Sequence, residues 1–190
     1  MNMPPPVAAP SRARSRLSLL LIVAVFALPI LAALVLNLTG WMPGHSRNFG
    51  EVVHPPVALR DIEFVHASDA RTHLGNTKAT WTLLVRVPDA CDAACWERVA
   101  VLGNVRTSLG RTADKLDLLL LEREPPPAQR EALATFAFAS PTTPLPGRLS
   151  APLTDGPELW LVNPYGLAEM RYAPGFVPAQ LRKDLGKLVR

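Results

Sequence analysis

Apolar positions fall into three patterns along this chain. The first is unbroken: residues 17–38 (LSLLLIVAVFALPILAALVLNL) run for 22 residues without a charge. At 1.5 Å per residue a helix of that length reaches about 33 Å, enough to cross a hydrocarbon core. The run is longer than the apolar part of a signal peptide and ends in Asn-Leu-Thr-Gly-Trp. It therefore predicts an uncleaved anchor, in which Pro29 is tolerated as a kink. The second pattern is the short apolar run. Residues 80–87 are rich in Trp, Val, Thr and Leu, as a buried strand is, and Pro88 stops the ladder because it has no N–H to donate. Residues 115–122 (KLDLLLLE) are almost continuously apolar, as expected of a parallel strand covered on both faces. Residues 158–162 predict a third strand. The last pattern is helical. Val99, Leu102, Val105 and Leu109 recur every three or four residues, with Glu97, Asn104, Ser108 and Arg111 opposite, which predicts a helix over 92–109 stopped by Gly110. Pro178 opens a final helix with Val177, Leu181, Leu185 and Leu188 on one face.

Turn chemistry fills in the rest. Pro125–Pro127 end the second strand, and Pro127 suits the first turn of a helix over 128–138. Residues 139–157 hold five prolines and two glycines and predict an irregular loop, of a length that often borders a site. The NPYG sequence at 163–166 is a tight turn, after which residues 167–172 pair back antiparallel. Residues 57–65 add a short strand or hairpin. The order β-α-β-α-β-β-α is that of a thioredoxin-like α/β domain, a central sheet with flanking helices, behind one N-terminal transmembrane helix. The expected organisation is a cytoplasmic tail (1–16), the anchor (17–38), an extended juxtamembrane linker rich in Pro, Gly and Asn (39–56) and the thioredoxin-like domain (57–190).

Charge changes the picture only at the N-terminus. The chain of 190 residues has a formal charge of +4, but Arg12, Arg14 and Arg16 lie in the tail, leaving 17 Lys and Arg against 16 Asp and Glu from Trp41 onward. No basic cluster with interleaved aromatics appears, so nucleic acid is not an expected partner. Three arginines before the anchor, and no charge after it until Arg47, place the N-terminus in the cytoplasm and the domain outside. The expected location is the bacterial inner membrane with the C-terminal domain in the periplasm, an oxidising compartment. Trp41 suits the membrane interface.

Cys91 and Cys95 are the two cysteines of the chain and sit where strand becomes helix. Four residues apart on a helix, they lie on one face roughly 6 Å apart, within disulfide reach after modest adjustment. The helix start favours a thiolate, whereas the flanking Asp89 and Asp92 oppose one. A five-residue loop stabilises by only about 2 kcal/mol, against roughly 3 for fifteen residues. So short a staple points to redox or metal work, with Cys91, nearer the helix start, attacking and Cys95 resolving. His45, His54, His66 and His73 read as solvated linker or loop residues.

The strand–CxxxC–helix unit, the later strand-turn-strand built on LVNPYG and the single N-terminal anchor resemble the Sco/SenC proteins of cytochrome c oxidase assembly. The segment 40–56 also looks like the W-x-P…N-x-G…P-P linker of anchored bacterial relatives. The resemblance implies a thioredoxin-like fold, copper bound by Cys91 and Cys95, and oxidase subunits or other assembly factors as partners. The family's copper-ligating histidine is not matched: its place falls on or near Asp155, and all four histidines precede Cys91. Two thiolates suit Cu(I) but do not by themselves make a Cu(II) site. Pro157 stands where thioredoxins place a cis-proline facing the cysteines, an ordinary trans loop proline being the base-rate expectation. Two functions are expected from these residues. One is thiol–disulfide exchange or Cu(I) handling in oxidase assembly. The other is a non-enzymatic assembly scaffold with a structural Cys91–Cys95 disulfide.

Overall fold

The apolar runs form strands and the periodic segments form helices in the computed structural model, which describes residues 12–38, 48–75 and 79–189. The elements are α1 (Arg12–Leu38), β1 (Glu51–Ala58), β2 (Glu63–His66), β3 (Arg71–His73), β4 (Trp81–Arg86), α2 (Ala93–Thr107), β5 (Leu116–Leu121), β6 (Phe136–Pro141), β7 (Glu158–Val162), β8 (Leu167–Tyr172) and α3 (Pro178–Leu188). The chain divides into two units, residues 1–46 and 47–190. His45, Trp41 and most of the predicted tail lie outside the described residues.

In the first unit α1 runs through Pro29 as one helix and covers the whole uncharged run. Its described apolar side chains, among them Ile22, Phe26, Ile30 and Leu34, are exposed, apart from the half-buried Ala27. Among the described residues, no helix is long and apolar enough to cross a membrane.

In the second unit the described strands form one eight-stranded sheet, in the order β1-β8-β7-β4-β5-β6-β2-β3. β4, β5 and β6 are parallel, while β7 runs antiparallel to β4 and to β8. Side chains alternate across a strand, so each central strand feeds two cores. Leu83 and Val85 of β4 join Leu118, Leu120, Leu159 and Leu161 under Trp96, Val99 and Leu102 of α2 and Leu181 and Leu185 of α3. On the other face Leu84, Leu119 and Trp160 are covered by loop residues Leu59, Ile62, Leu74, Leu145 and Leu149. Each such leucine stabilises the fold by about 1.5–3 kcal/mol. The order β4-α2-β5, then β7-β8-α3, confirms the thioredoxin-like α/β fold.

Four expectations are corrected. Residues 128–138 are not a helix. Pro127–Gln129 make one 3₁₀ turn, and β6 then pairs parallel with β5 and antiparallel with β2. Ala128–Ala134 are good helix formers, but Phe136 and Ala139 are needed on opposite faces of the sheet, and tertiary pairing overrides the local preference. The loop expected over 139–157 consequently starts later, and it contains a 3₁₀ turn at Gly147–Ser150 that buries Leu149. The extended linker expected up to Pro56 is already sheet from Glu51, with Val52 opposite Met170. Pro55 and Pro56 are accommodated because β1 is an edge strand, where a missing N–H costs no ladder bond. The short strand or hairpin expected over 57–65 is instead the end of β1 and the start of β2, which do not pair with each other: β1 is one edge of the sheet, and β2 lies near the other, between β6 and β3.

The NPYG turn is built as its residues dictate. Asn163 Oδ1 accepts from the N–H of Tyr165 (2.9 Å) and of Leu167 (3.0 Å). Gly166 has φ +75°, and a Cβ there would collide with the Leu74 carbonyl.

A buried carboxylate fastens the start of the domain to its last helix. Asp184 of α3 is 0% exposed. Its Oδ2 accepts from the backbone N–H of Phe49 (2.6 Å) and Gly50 (3.1 Å), and from the Tyr172 hydroxyl at 3.4 Å. Lys187 Nζ lies 3.5 Å from Oδ1. Burial first, then the Asp184 charge and its hydrogen bond, push the Tyr172 phenol well above its ordinary value. Asp184→Ala is expected to cost about 3 kcal/mol in urea unfolding, because two N–H groups lose their acceptor. Asp184→Asn, which keeps an oxygen acceptor, should cost less than half of that. Equal losses would mean that shape, not hydrogen bonding, holds the segment.

Candidate functional site

β4 delivers the chain to the site. Its ladder ends at Arg86, Val87 and Pro88 turn the backbone, and α2 begins two residues after Cys91. Asp92 is the N-cap of α2: its backbone is extended and its Oδ1 accepts from the Cys95 N–H at 2.8 Å. Trp96, 3% exposed, plugs the first turn into the core. Cys91 and Cys95 form a disulfide with their Cα atoms 5.3 Å apart. The carboxylates expected to oppose a thiolate have other partners. Asp92 caps the helix, and Arg123 donates to the Asp89 side chain (2.5 Å) and carbonyl (3.0 Å), tying the approach to Cys91 to the end of β5.

A cleft of about 300 Å³ opens beside the disulfide. Asp92, Cys95 and Arg98 form its helix side, and Thr154, Asp155 and Pro157 its loop side. The structure therefore brings Asp155 and Pro157 to the same cleft as Cys95, although they lie some sixty residues further along the chain. The only cis peptide bond among the described residues is His54–Pro55, so Gly156–Pro157 is not cis. Cys91 packs against the helix-side core, leaving Cys95 as the cysteine that lines the cleft.

His54 lies in β1, while His66 and His73 line a separate cavity with Thr82 and Asp117, at the starts of β4 and β5 and hence at the opposite end of the sheet from the disulfide. Among the described residues, no group of three or more His, Cys, Asp and Glu is arranged to hold a metal ion. The Cys95 sulfur at the cleft and its disulfide partner Cys91 make a two-sulfur donor set that fits Cu(I) after reduction; with no imidazole among the described residues lining the cleft, the set does not fit a nitrogen-rich Cu(II) site.

The loop facing Cys95 is held by charges that sequence reasoning missed. Glu158 follows Pro157 and is 2% exposed. Its Oε2 accepts from Arg86 Nη1 at 3.1 Å and Trp160 Nε1 at 2.9 Å, and its Oε1 accepts from Arg171 Nε at 2.5 Å. Arg86 also donates to the Ala151 carbonyl at 2.7 Å, which fastens the middle of the loop to the end of β4. Arg171 and Arg148 then share Glu51, at 3.1 and 2.8 Å. Burial alone would lower the Arg171 value, but its bond to Glu158, with Glu51 assisting, raises it. Hydrogen bonds from Arg148 and then Arg171 hold the Glu51 carboxyl below its ordinary range. The one signal for this network in the sequence was a carboxylate opening an otherwise apolar strand, which demands a cation once buried.

The sequence profile described as "Transmembrane-like, thioredoxin-like, C-terminal domain" matches residues 81–190. The chain belongs to this transmembrane-like, thioredoxin-like family. The matched part begins at the first residue of β4 and takes in both cysteines, the cleft loop and α3. No curated protein matches the chain. Among solved structures, apo Sco1 from Thermus thermophilus is similar at 15% identity and a TM-score of 0.51, covering 75% of this chain and 96% of that one. A protein from Aquifex aeolicus VF5 is similar at 14% identity and TM-score 0.51, covering 71% of this chain and 97% of that one. Copper-bound ScoI from Arabidopsis thaliana has 12% identity and TM-score 0.48, covering 68% and 97%. At such identities the first two likenesses establish the thioredoxin-like fold of this family member.

The Glu51 pairs carry a pH signature. Its carboxyl lies below 4.5 in the folded chain, so its stabilisation is fully present at neutral pH and is lost as pH falls through the lowered value. Being half exposed, the pairs contribute less than about 1 kcal/mol. The difference in unfolding midpoint between wild type and Glu51→Gln should be constant above about pH 6 and shrink progressively as pH falls below the ordinary carboxylate range. A difference that persists at low pH would show that the carboxylate charge is not its source.

Proposed function

We propose that the chain is a membrane-anchored, exported thiol–disulfide protein that assists cytochrome c oxidase assembly. The observation that carries this reading is the Cys91–Cys95 disulfide at the start of α2, with Cys95 lining a cleft closed on its other side by the Asp155–Pro157 loop. In the reduced form Cys95, the cysteine at the cleft, takes the attacking role expected of Cys91: its thiolate attacks a partner's disulfide and forms a mixed disulfide, releasing one partner thiolate. The Cys91 thiolate then attacks Cys95 Sγ, the second partner thiolate leaves, and the Cys91–Cys95 bond re-forms. Two electrons pass to the partner, which ends as a dithiol able to take metal. The assignment to oxidase assembly is supported by the CxxxC and LVNPYG units and the linker pattern that resemble Sco/SenC proteins.

Export is supported by the uncharged run of α1 with its exposed apolar side chains and by the three arginines before it. On this reading α1 is the anchor in the bacterial inner membrane, residues 1–16 are cytoplasmic and the thioredoxin-like domain works in the periplasm.

The same pair supports Cu(I) handling, because two adjacent thiolates are a soft donor set. Reduced wild type is then expected to hold Cu(I), and Cys91→Ala or Cys95→Ala to lose it. Asp155→His should add Cu(II) retention with nitrogen hyperfine structure in electron paramagnetic resonance. Absence of that gain would take Asp155 out of the site.

A scaffold with a purely structural disulfide is distinguished by reduction. Dithiothreitol should open Cys91–Cys95 while leaving a cooperative thermal transition, since so short a loop adds only about 2 kcal/mol. Loss of the cooperative transition on reduction would make the bond structural and favour the scaffold.

A further inference from the structure

α3 turns one face into the protein and leaves the other outside. Leu181, Asp184 and Leu185 are buried, and Asp184 is the only carboxylate of the helix. The outer face carries Arg182, Lys183 and Lys187 and no acidic side chain. Beside it stands Phe49, 52% exposed, with Val177, 48% exposed, just before the helix; Val52, three residues after Phe49 on the edge strand β1, is 39% exposed. Lys183 Nζ lies 6.0 Å from the centre of the Phe49 ring. Phe49 and Val177 line one hollow of about 190 Å³ with Phe176 and Gln180. Cations mixed with aromatic and aliphatic side chains are the composition of surfaces that settle into the headgroup boundary of an anionic bilayer.

Position along the chain points to the same occupant. Asp184 pins the backbone of Phe49 and Gly50, so this surface sits where the domain begins. Only residues 39–47 separate the last residue of α1 from Asn48, and a stretch of that length spans at most about 35 Å even when fully extended. A tether that short keeps the surface at high effective concentration beside the membrane, so weak individual contacts suffice.

We propose that the Phe49–Val52–Val177 surface with the outer face of α3 docks on the anionic lipid surface of the membrane that anchors the chain. The apolar side chains enter the headgroup boundary, and Arg182 and Lys183 meet lipid phosphates. The inference rests on the reading of α1 as an anchor.

The test uses the full chain in lipid nanodiscs of phosphatidylcholine alone or with phosphatidylglycerol. A water-soluble N-hydroxysuccinimide ester acetylates exposed lysines, and mass spectrometry compares Lys183 with Lys115, an exposed lysine just before β5. Lys183 should react about threefold or more slowly, relative to Lys115, in the anionic discs. High salt, or Phe49→Ser with Val177→Ser, should restore its rate. Equal relative rates in the two lipids overturn the proposal, and so does slow reaction in both, as a second copy of the chain covering α3 would produce. An alkaline carbonate wash separates the two readings. Release of the chain from membranes ends the anchor reading and this inference together, whereas retention with equal Lys183 rates ends this inference alone.

Discussion

Strand β4 is apolar on both faces and has to be covered on both, and the rest of the domain follows from that requirement. Leu83 and Val85 need α2 and α3 above them, while Leu84 needs Trp160 beside it and the loop leucines below. A strand buried in this way belongs inside a sheet, between β5 and β7, where its backbone groups are also satisfied. Its C-terminal end then opens where the sheet stops and α2 starts. The disulfide sits at that junction because Pro88 ends the strand and Asp92 caps the helix.

Covering the second face with loops rather than helices leaves a problem that charge solves. A long proline-rich segment has few backbone hydrogen bonds of its own, so residues 142–157 are held by side chains. Leu145 and Leu149 anchor it by burial, and Arg86 reaches from the end of β4 to the Ala151 carbonyl. Glu158 is placed among Arg86, Arg171 and the Trp160 indole, which together neutralise a carboxylate that would be costly to bury alone. The cleft beside Cys95 is a consequence: its loop wall is fixed by the strand that supports its cysteine wall.

The chemistry open to this site follows from how little the disulfide has to hold. The β4–α2 junction is already secured by the Asp92 cap, the buried Trp96 and the Arg123–Asp89 pair. On the proposed reading, a bond that closes only a five-residue loop inside such a junction opens and closes without disturbing it. The fold would then separate the groups that maintain the structure from the pair that changes state. Asp184 makes the same division at the other end of the domain, fastening Phe49 and Gly50 to α3 far along the sequence from the cysteines.

What the sequence by itself determined were the features written in local periodicity. The apolar runs of β4, β5 and β7, the helical stripe of α2, the NPYG turn and the placement of Cys91 and Cys95 at a strand-to-helix junction were all legible, because each depends on neighbours a few residues away. The position of Asp155 and Pro157 opposite Cys95 was legible only through the resemblance, since a count along the chain carries no distance. Tertiary structure decided the rest. It made residues 136–141 a strand where the end of a helix and the start of a loop were expected, because Phe136 and Ala139 had to face opposite cores. It drew the proline-bearing segment 51–58 into the sheet, because the exposed edge of β8 offered a partner that no local pattern announces. It also placed Cys95 at the cleft: helical spacing puts Cys91 and Cys95 on one face, but only the folded chain sets Cys91 against the core and brings residues 154–157 to the cleft that Cys95 lines. Long-range pairing, burial on two faces and the neutralisation of Glu158 are properties of contacts far apart in sequence, and those contacts exist only once the chain has folded.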